Sequence, residues 1–209
     1  EEKGTQGIPL IAGTNRDVGT LFTALIPDEM WVEIEEGIAA SVVGGDPTEY
    51  LAALKTLYTG SQAEYRERIW GDMFRIAAVA STQKATEAGP GGWLYRFDLV
   101  SSVPFLGEKF GATHGAEMPF TFNSYERPDS GFPGRSFMGF EVYDPDEQRV
   151  SRLANSWSAT IVQFARYGDP NGAGLPEWPR YQADKRKTLV LDEITRIEED
   201  WEKDELLFW

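Results

Sequence analysis

Short apolar runs and longer periodic segments alternate along this chain. The first run, IPLIAGTN at residues 8–15, is apolar along most of its length, which is typical of a strand buried on both faces in a parallel sheet. At 91–100, large aromatic residues alternate with residues of other types, which predicts a second strand. A third strand is predicted at 188–192, TLVLD.

Helix-start signals of one type occur three times, each an aspartate or serine followed three residues later by glutamate. The first, at 46–49, predicts a helix that Gly60 closes, and the second, at 61–64, predicts a longer helix that ends before Gly89. The apolar stripe of the longer helix consists of Tyr65, Ile69, Met73, Ile76 and Ala80.

The third start signal, at 144–147, predicts a helix of about 20 residues that ends at Gly168. Its apolar stripe consists of Val150, Leu153, Trp157, Ile161 and Phe164. Residues 101–143 show weak periodicity and are predicted to form loops and short turns. This order of strands and helices predicts the α/β class, and the small number of strands predicts that the chain is part of a larger sheet protein.

Composition narrows the class of protein and of partner. With 41% hydrophobic residues, the 209-residue chain can bury a core the size of one domain or of a large part of one. Its net charge of −14 argues against nucleic acid and anionic membrane as partners, because both repel an acidic surface. No apolar run approaches the roughly 20 residues of a membrane span, so we expect a soluble chain, with the compartment, cytoplasmic or secreted, left open.

The chain has no cysteine and a single histidine, His114. Disulfides, thiolate metal sites and a cysteine nucleophile are therefore excluded, and a structural zinc site is not expected. His114 lies in GATHGAEMPF at 111–120, between glycine and alanine residues. A lone imidazole in such a loop suits a general base, and it also suits a side chain held by backbone hydrogen bonds.

Four segments resemble the C-terminal part of type-B carboxylesterases, the family that includes bacterial para-nitrobenzyl-type esterases and the cholinesterases. They follow the family's order and rough spacing over nearly the whole chain: GTNRDVGTLF (13–22), WLYRFD (93–98), HGAEMPFTF (114–122) and WSATIVQFARYGDPNGAGLPEWPRY (157–181). The resemblance implies that residues 1–209 are the C-terminal portion of a single α/β-hydrolase domain, with a few mainly parallel strands and several packed helices. It also implies a serine ester hydrolase that acts on a small-molecule ester without metal or organic cofactor.

In this family the histidine of HG-x-E is the general base, and His114 is the matching residue. The family's serine lies in a Gly-x-Ser-x-Gly turn. The nearest string here, at 134–138, lacks the second glycine, and no glycine-rich oxyanion loop is recognisable. We therefore expect the nucleophile in a missing N-terminal portion, no ester hydrolysis by these 209 residues alone, and either self-association or contact with that portion at an unpaired sheet edge.

The family usually has Asp-Glu-Gly where this chain has Asp17, Val18 and Gly19. That glutamate orients the histidine, and loss of the corresponding carboxylate in a related triad costs on the order of 10⁴ in rate. Asp17, Asp72 and Glu117 are alternative acids, each of which also suits a structural role. Val18 favours a catalytically silent binding protein with the hydrolase fold, whereas the intact HG-x-E segment favours an enzyme.

An apolar cleft for the acyl or alcohol group of the ester is expected from the resemblance. The aromatic residues that suit this role are equally suited to core packing. The candidates are Leu21, Phe22, Trp70, Phe74, Phe105 and Phe120.

Overall fold

The protein is an α/β structure built on a four-stranded sheet. The computed structural model describes residues 7–103, 106–125, 136–137, 140–141, 143–144 and 146–199. The strands are β1 (Leu10–Asn15), β2 (Gly92–Phe97), β3 (Ser136–Phe137), β4 (Phe140–Glu141), β5 (Thr188–Leu191) and β6 (Arg196–Glu198). The helices are α1 (Thr20–Leu25), α2 (Asp28–Val43), α3 (Thr48–Leu57), α4 (Gln62–Glu87), α5 (Leu106–Phe110), α6 (Met118–Thr121) and α7 (Gln148–Tyr167).

Three parallel strands form most of the described sheet, whose order is β1-β2-β5-β6. β1 and β5 each pair in parallel with β2, and β6 returns antiparallel to β5. β3 and β4 form a separate antiparallel pair. Because parallel strands end at the same edge of a sheet, the turn after β1 and the chain that follows β2 emerge side by side.

Helices cover both faces of the sheet. Successive side chains of β2 point to opposite faces, so they pack against different helices. Trp93 and Phe97 pack in one core with Trp157 of α7, whereas Leu94 packs in another with Ala78 of α4. The result is a three-layer arrangement in which α4 and α7 lie on opposite sides of the sheet.

The turn after β1 lies directly against α4. A β-carbon at Gly19 would overlap the carbonyl oxygen of Glu67 in that helix, so glycine is required for this close approach. Because α4 also packs on β1 and β2, the turn, the helix and the two strands form one packed unit.

The strands and long helices that the sequence predicts are confirmed, with shifted ends. The Ser61 hydroxyl caps α4 by accepting a backbone N–H of the first turn at 3.3 Å, and Gly168, with a φ of 71°, ends α7. α3 ends at Leu57, before Gly60. α7 begins after the predicted start because the Asp144 carboxylate accepts a backbone N–H in a turn that precedes the helix.

Two expectations about burial are wrong. The first four residues of β1 are only half-buried, because β1 is an edge strand of the described sheet. On α4, Ala80 is exposed, and the buried face includes Asp72 and Arg75. The polar residues are accommodated there because they pair with each other.

Helix α2 has no counterpart among the predicted elements. Its signals are modest: Pro27 precedes two acids at the start, and Gly44, in the left-handed conformation with a φ of 69°, ends it. No side chain caps its first turn, so the pattern used for the other helices does not apply.

An ion cluster lies on the buried face of α4. Asp72, which is 2% exposed, accepts hydrogen bonds from Arg75 Nη2 at 2.6 Å and from the Tyr50 hydroxyl at 2.9 Å, and Arg68 Nε lies 2.8 Å from the same carboxylate. Burial lowers the pKa of Arg75, which Asp72 opposes, while burial and the Asp72 charge raise the pKa of Tyr50. Of the two roles considered for Asp72, catalytic acid and structural acceptor, these contacts are those of the structural acceptor.

Replacing Asp72 by alanine should destabilise the protein strongly. The variant buries Arg68 and Arg75 without this carboxylate, and breaking a buried ion pair costs about 3–5 kcal/mol. Urea denaturation measures the change in the free energy of unfolding. The matched control, Asp184→Ala at an exposed turn position, should change it by no more than about 0.5 kcal/mol. Equal losses for the two variants would contradict the structural role of Asp72.

Candidate active site

His114 lies on the loop between α5 and α6, beside the turn that follows β1. Its ring is half-buried and packs on the rings of Phe22 from α1 and Phe74 from α4, with centroid distances of 5.1 and 5.0 Å. Among the described residues, no hydrogen-bond partner reaches the imidazole. The ring is therefore not enclosed in the core, and its position is set by the loop that carries it and by two aromatic side chains.

Asn15 connects the end of β1 to this loop on both sides of the histidine. Its Nδ2 donates to the carbonyl oxygen of Thr113 at 2.5 Å and to Glu117 Oε2 at 2.6 Å. The backbone of Asn15 is held in register opposite Phe97 in β2. The sheet therefore determines where the two ends of the His114 turn lie.

Thr20 holds the same loop from the first residue of α1. Its hydroxyl lies 2.7 Å from the carbonyl oxygen of Phe110 and 2.9 Å from the hydroxyl of Thr113. Because a hydroxyl donates one hydrogen and also accepts, it can serve the carbonyl and the neighbouring hydroxyl together.

Asp17 pairs with the loop through both its backbone and its carboxylate. Oδ2 accepts the N–H of Ala112 at 2.8 Å, and the N–H of Asp17 donates to the Ala112 carbonyl at 3.1 Å. Arg16 Nη2 lies 2.8 Å from the same carboxylate, and its hydrogen bond with Asp17 raises the pKa of Arg16. No hydrogen bond joins Asp17 to His114 in the described part of the chain. These contacts are those of a residue that orders its turn, and not those of an acid that orients the base.

The other candidate acids also have partners away from the imidazole. Asp72 belongs to the ion cluster of α4, and Glu117 accepts from Asn15. Val18, at the position where the resemblance predicts an orienting glutamate, is buried at 3% exposure. Within the described ranges, the imidazole packs on aromatic rings, and no carboxylate forms a hydrogen bond or ion pair with it.

Val18 lines a cavity of about 210 Å³ between the turn after β1 and helix α4. Its walls carry charges of both signs, with Arg16 and Asp17 on the turn and Arg68 and Asp72 on the helix. Charged groups of both signs therefore line the cavity beside Val18.

Three of the predicted substrate-binding residues form an aromatic wall beside His114. Phe22 stacks on Trp70 at a centroid distance of 4.7 Å and lies 5.9 Å from Phe74. Trp31 of α2, absent from the predicted set, is buried in the core behind Trp70, with 6.4 Å between the ring centroids. The aromatic wall, defined as Phe22, Trp70 and Phe74, provides an apolar surface next to the imidazole.

The other three predicted substrate-binding residues are Phe120, Leu21 and Phe105. Phe120 has no exposed surface and packs between Phe97 and Tyr143, at 5.1 and 4.8 Å between ring centroids, so its predicted place in a cleft is wrong. Leu21 is half-buried on α1, next to Phe22. Phe105 lies outside the described residues.

Sequence reasoning missed Asn15, Thr20 and Thr113 as parts of the site. The available signal was positional, since Asn15 is the polar residue that ends an apolar strand and thus lies where parallel sheets present functional groups. Its partners lie too far along the chain to be recognised from spacing.

Among the described residues, no group of three or more histidine, aspartate and glutamate side chains is arranged to hold a metal ion. None of the described helices has the length and apolar character needed to cross a bilayer.

The largely parallel sheet between two helical layers is part of an α/β-hydrolase fold, as the match to solved esterase structures shows. A family model described as carboxylesterase family matches residues 1–209. The chain belongs to this family.

The relatives that match this chain in sequence and in structure are esterases and related hydrolases. The chain is 29% identical to the para-nitrobenzyl esterase of Bacillus subtilis over 97% of its length and 30% identical to the phenmedipham hydrolase of Pseudarthrobacter oxydans over 92%. It spans 38% of the length of each. A solved para-nitrobenzyl esterase structure matches 97% of this chain and 38% of its own, with a TM-score of 0.73 and 26% identity. A Geobacillus stearothermophilus carboxylesterase matches 98% and 40%, with a TM-score of 0.70 and 26% identity.

Gly111→Ala should destabilise the protein more than Gly44→Ala. Both glycines have a left-handed φ, +60° and +69°, so each substitution costs about 1–2 kcal/mol of backbone strain. A β-carbon at Gly111 would also overlap Asp17 Oδ2, whereas no atom lies within 4 Å of one at Gly44. The carboxylate must then leave Ala112, at a further cost of about 1.5–3 kcal/mol. Urea unfolding of both variants measures the difference, and equal losses would show that Asp17 does not hold the loop.

Proposed function

We propose that this chain is the C-terminal portion of a carboxylic ester hydrolase in which His114 is the general base and a serine outside these 209 residues is the nucleophile. The position of His114 carries the proposal. In a member of the carboxylesterase family, the histidine lies on a loop bound to the end of β1 and against an apolar wall. A base within reach of a nucleophile and an apolar surface for the substrate are what ester hydrolysis requires.

The reaction proceeds through an acyl-enzyme. The serine oxygen attacks the ester carbonyl carbon while His114 takes the hydroxyl proton. The tetrahedral intermediate breaks its bond to the alcohol oxygen, which receives that proton from the imidazolium, and an acyl-serine remains. Water then attacks the acyl carbon, His114 takes the water's proton, and the proton returns to the serine oxygen as the carboxylic acid leaves.

An N-terminal portion of the same protein supplies the nucleophile in this proposal. The 209 residues contain no Gly-x-Ser-x-Gly string, and the chain spans 38% of the length of the two esterase relatives. We expect that portion to pair with the free edge of β1 and to bring the serine and the oxyanion donors to His114. The 209 residues alone are then inactive towards esters.

The aromatic wall favours a small-molecule ester with an apolar or aromatic group. Phe22 and Phe74 contact the imidazole ring, so a substrate group on their faces lies next to the base. Stacked and tilted aromatic rings present flat apolar surfaces, which bind such groups through burial of their area.

Val18 supports a second candidate function, a catalytically silent binding protein. A buried valine replaces the family's orienting acid, and no acid among the described residues bonds to His114. The silent protein would have no nucleophilic serine upstream, whereas the enzyme requires one. Labelling of the full-length protein with an organophosphonate that reacts with activated serines separates the two functions.

His114→Ala in the full-length protein should lower kcat for para-nitrophenyl butyrate by about 10²–10⁴-fold, since the variant lacks the general base. Release of para-nitrophenol measures the rate. Circular dichroism should show an unchanged fold, because the ring is only half-buried. A rate equal to that of the unmodified protein would refute the role of His114.

Asp17→Asn should lower kcat by less than about tenfold. The asparagine keeps an oxygen that accepts the Ala112 N–H, so the loop stays in place while the charge assistance of that hydrogen bond is lost. An acid that orients His114 would instead show a loss of about 10⁴. Steady-state kinetics of Asp17→Asn beside Asp184→Asn, an exposed control, decides between the two roles.

A further inference from the structure

We propose that Asn15 is a positioning residue for His114, an inference that rests on the proposed function. Its side-chain amide binds the chain on both sides of the histidine and thereby fixes the direction in which the imidazole points.

The hydrogen bonds of Asn15 use the full donor capacity of its amide. Thr113, whose carbonyl oxygen lies 2.5 Å from Nδ2, immediately precedes His114, and Glu117, whose Oε2 lies 2.6 Å away, follows it by three residues. An amide nitrogen carries two hydrogens, so it can donate to both at once. Since both neighbours are acceptors, the nitrogen and not the oxygen of Asn15 must face them.

The His114 turn needs such an external anchor because its own backbone is permissive. Gly111 and Gly115 flank it with φ values of +60° and +80°, and glycine restricts these angles less than other residues do. The imidazole has no hydrogen-bond partner among the described residues that would orient it directly. Bonds to the flanking backbone and to Glu117 therefore limit where the ring can point.

Asn15 is itself held rigidly. It is 5% exposed and ends β1 opposite Phe97, whose carbonyl oxygen accepts the N–H of Arg16 at 2.9 Å. Positioning groups on strands hold a geometry more closely than groups on loops do. The register of β1 against β2 is thus passed to the histidine through one buried side chain.

The residue type matters at position 15. An aspartate has nearly the same shape but presents only acceptors, so it would face the Thr113 carbonyl and the Glu117 carboxylate without a hydrogen to donate. An alanine removes both bonds and leaves their acceptors unpaired by this side chain. The bond to Glu117 is charge-assisted, which makes it the stronger of the two.

Loss of this anchor should appear in turnover and not in substrate affinity. A displaced imidazole takes and returns protons less well, and a displacement of about 1 Å can cost about 10²-fold in rate. The aromatic wall lies on α1 and α4, which Asn15 does not position, so KM should change little.

The experiment measures kcat and KM of the full-length protein with para-nitrophenyl butyrate for Asn15→Ala and for Asn171→Ala. Asn171 is the matched control, because it also bridges two parts of the chain, accepting the Trp178 N–H at 2.7 Å and donating to the Trp178 carbonyl at 3.0 Å, on the loop after α7. We expect kcat to fall about 10–100-fold for Asn15→Ala at an unchanged KM, and to change less than about twofold for Asn171→Ala.

A rescue variant keeps the test decisive if Asn15→Ala folds poorly. Asn15→Asp alone should lose kcat, and the double variant Asn15→Asp with Glu117→Gln should recover part of it, because the glutamine amide donates to the new carboxylate and restores a bond between the two positions. No recovery in the double variant, or a kcat for Asn15→Ala within twofold of the unmodified protein, would overturn the role of Asn15.

Failure of the positioning role is distinguishable from failure of the proposed function. If His114→Ala abolishes hydrolysis while Asn15→Ala keeps its kcat, the ester hydrolase stands and Asn15 is only a packing residue. If His114→Ala keeps its activity, the function proposed for this site fails, and with it the role of Asn15.

Discussion

Hydrogen bonds between the turn after β1 and the His114 loop are the interactions on which the site depends. The loop has little regular structure of its own, since α5 and α6 are short helices. Asn15, Asp17 and Thr20 lie at or just beyond the end of a strand whose register against β2 is fixed, and all three bond to residues 110–117. The backbone of the histidine loop is therefore held by strand pairing in the sheet, through side chains that do not touch the imidazole.

The resemblance places Val18 where the family has a glutamate, and a triad acid normally combines two properties. Such an acid holds the imidazole in place and stabilises its positive charge. In this chain the first property is supplied through the backbone, by Asn15 and Asp17. The second has no direct source among the described residues, because Glu117 is engaged by Asn15 and bonds to the imidazole neither directly nor through a shared partner atom. The loop that carries His114 is held by hydrogen bonds, while an imidazolium there would lack a direct charge partner among the described residues, which is why Val18 supports both an enzyme of lowered efficiency and a silent relative.

The sequence predicts those helices whose caps and apolar stripes lie within a few residues of one another. The Ser61 cap and the stripe of α7 report a helix because capping and periodicity act within a few residues. The burial of Phe120 depends on which elements meet around it, and residue spacing in the sequence does not contain that information. The sequence therefore places Phe120 in a cleft, whereas the structure buries it. The role of Asn15 depends on partners 98 and 102 residues away, so no motif length reveals it. The resemblance to carboxylesterases predicts His114 as the base, whereas the hydrogen bonds that hold its loop are visible only in the fold.

Helix α4 links the aromatic wall to the buried charges while keeping them apart. Trp70 and Phe74 lie four residues apart on one face, and Asp72, two residues from each, points to the nearly opposite face because each residue advances the helix by about 100°. A rotation of α4 about its axis would remove the ring of Phe74 from His114 and move the ion cluster towards it. The buried pairing of Asp72 with its arginines resists that rotation, since a buried carboxylate that loses its partners is costly. The close contact of Gly19 with the backbone of α4 also leaves no room for the helix to move towards the turn after β1. A polar cluster that never touches the imidazole thus helps to keep the surface beside it apolar.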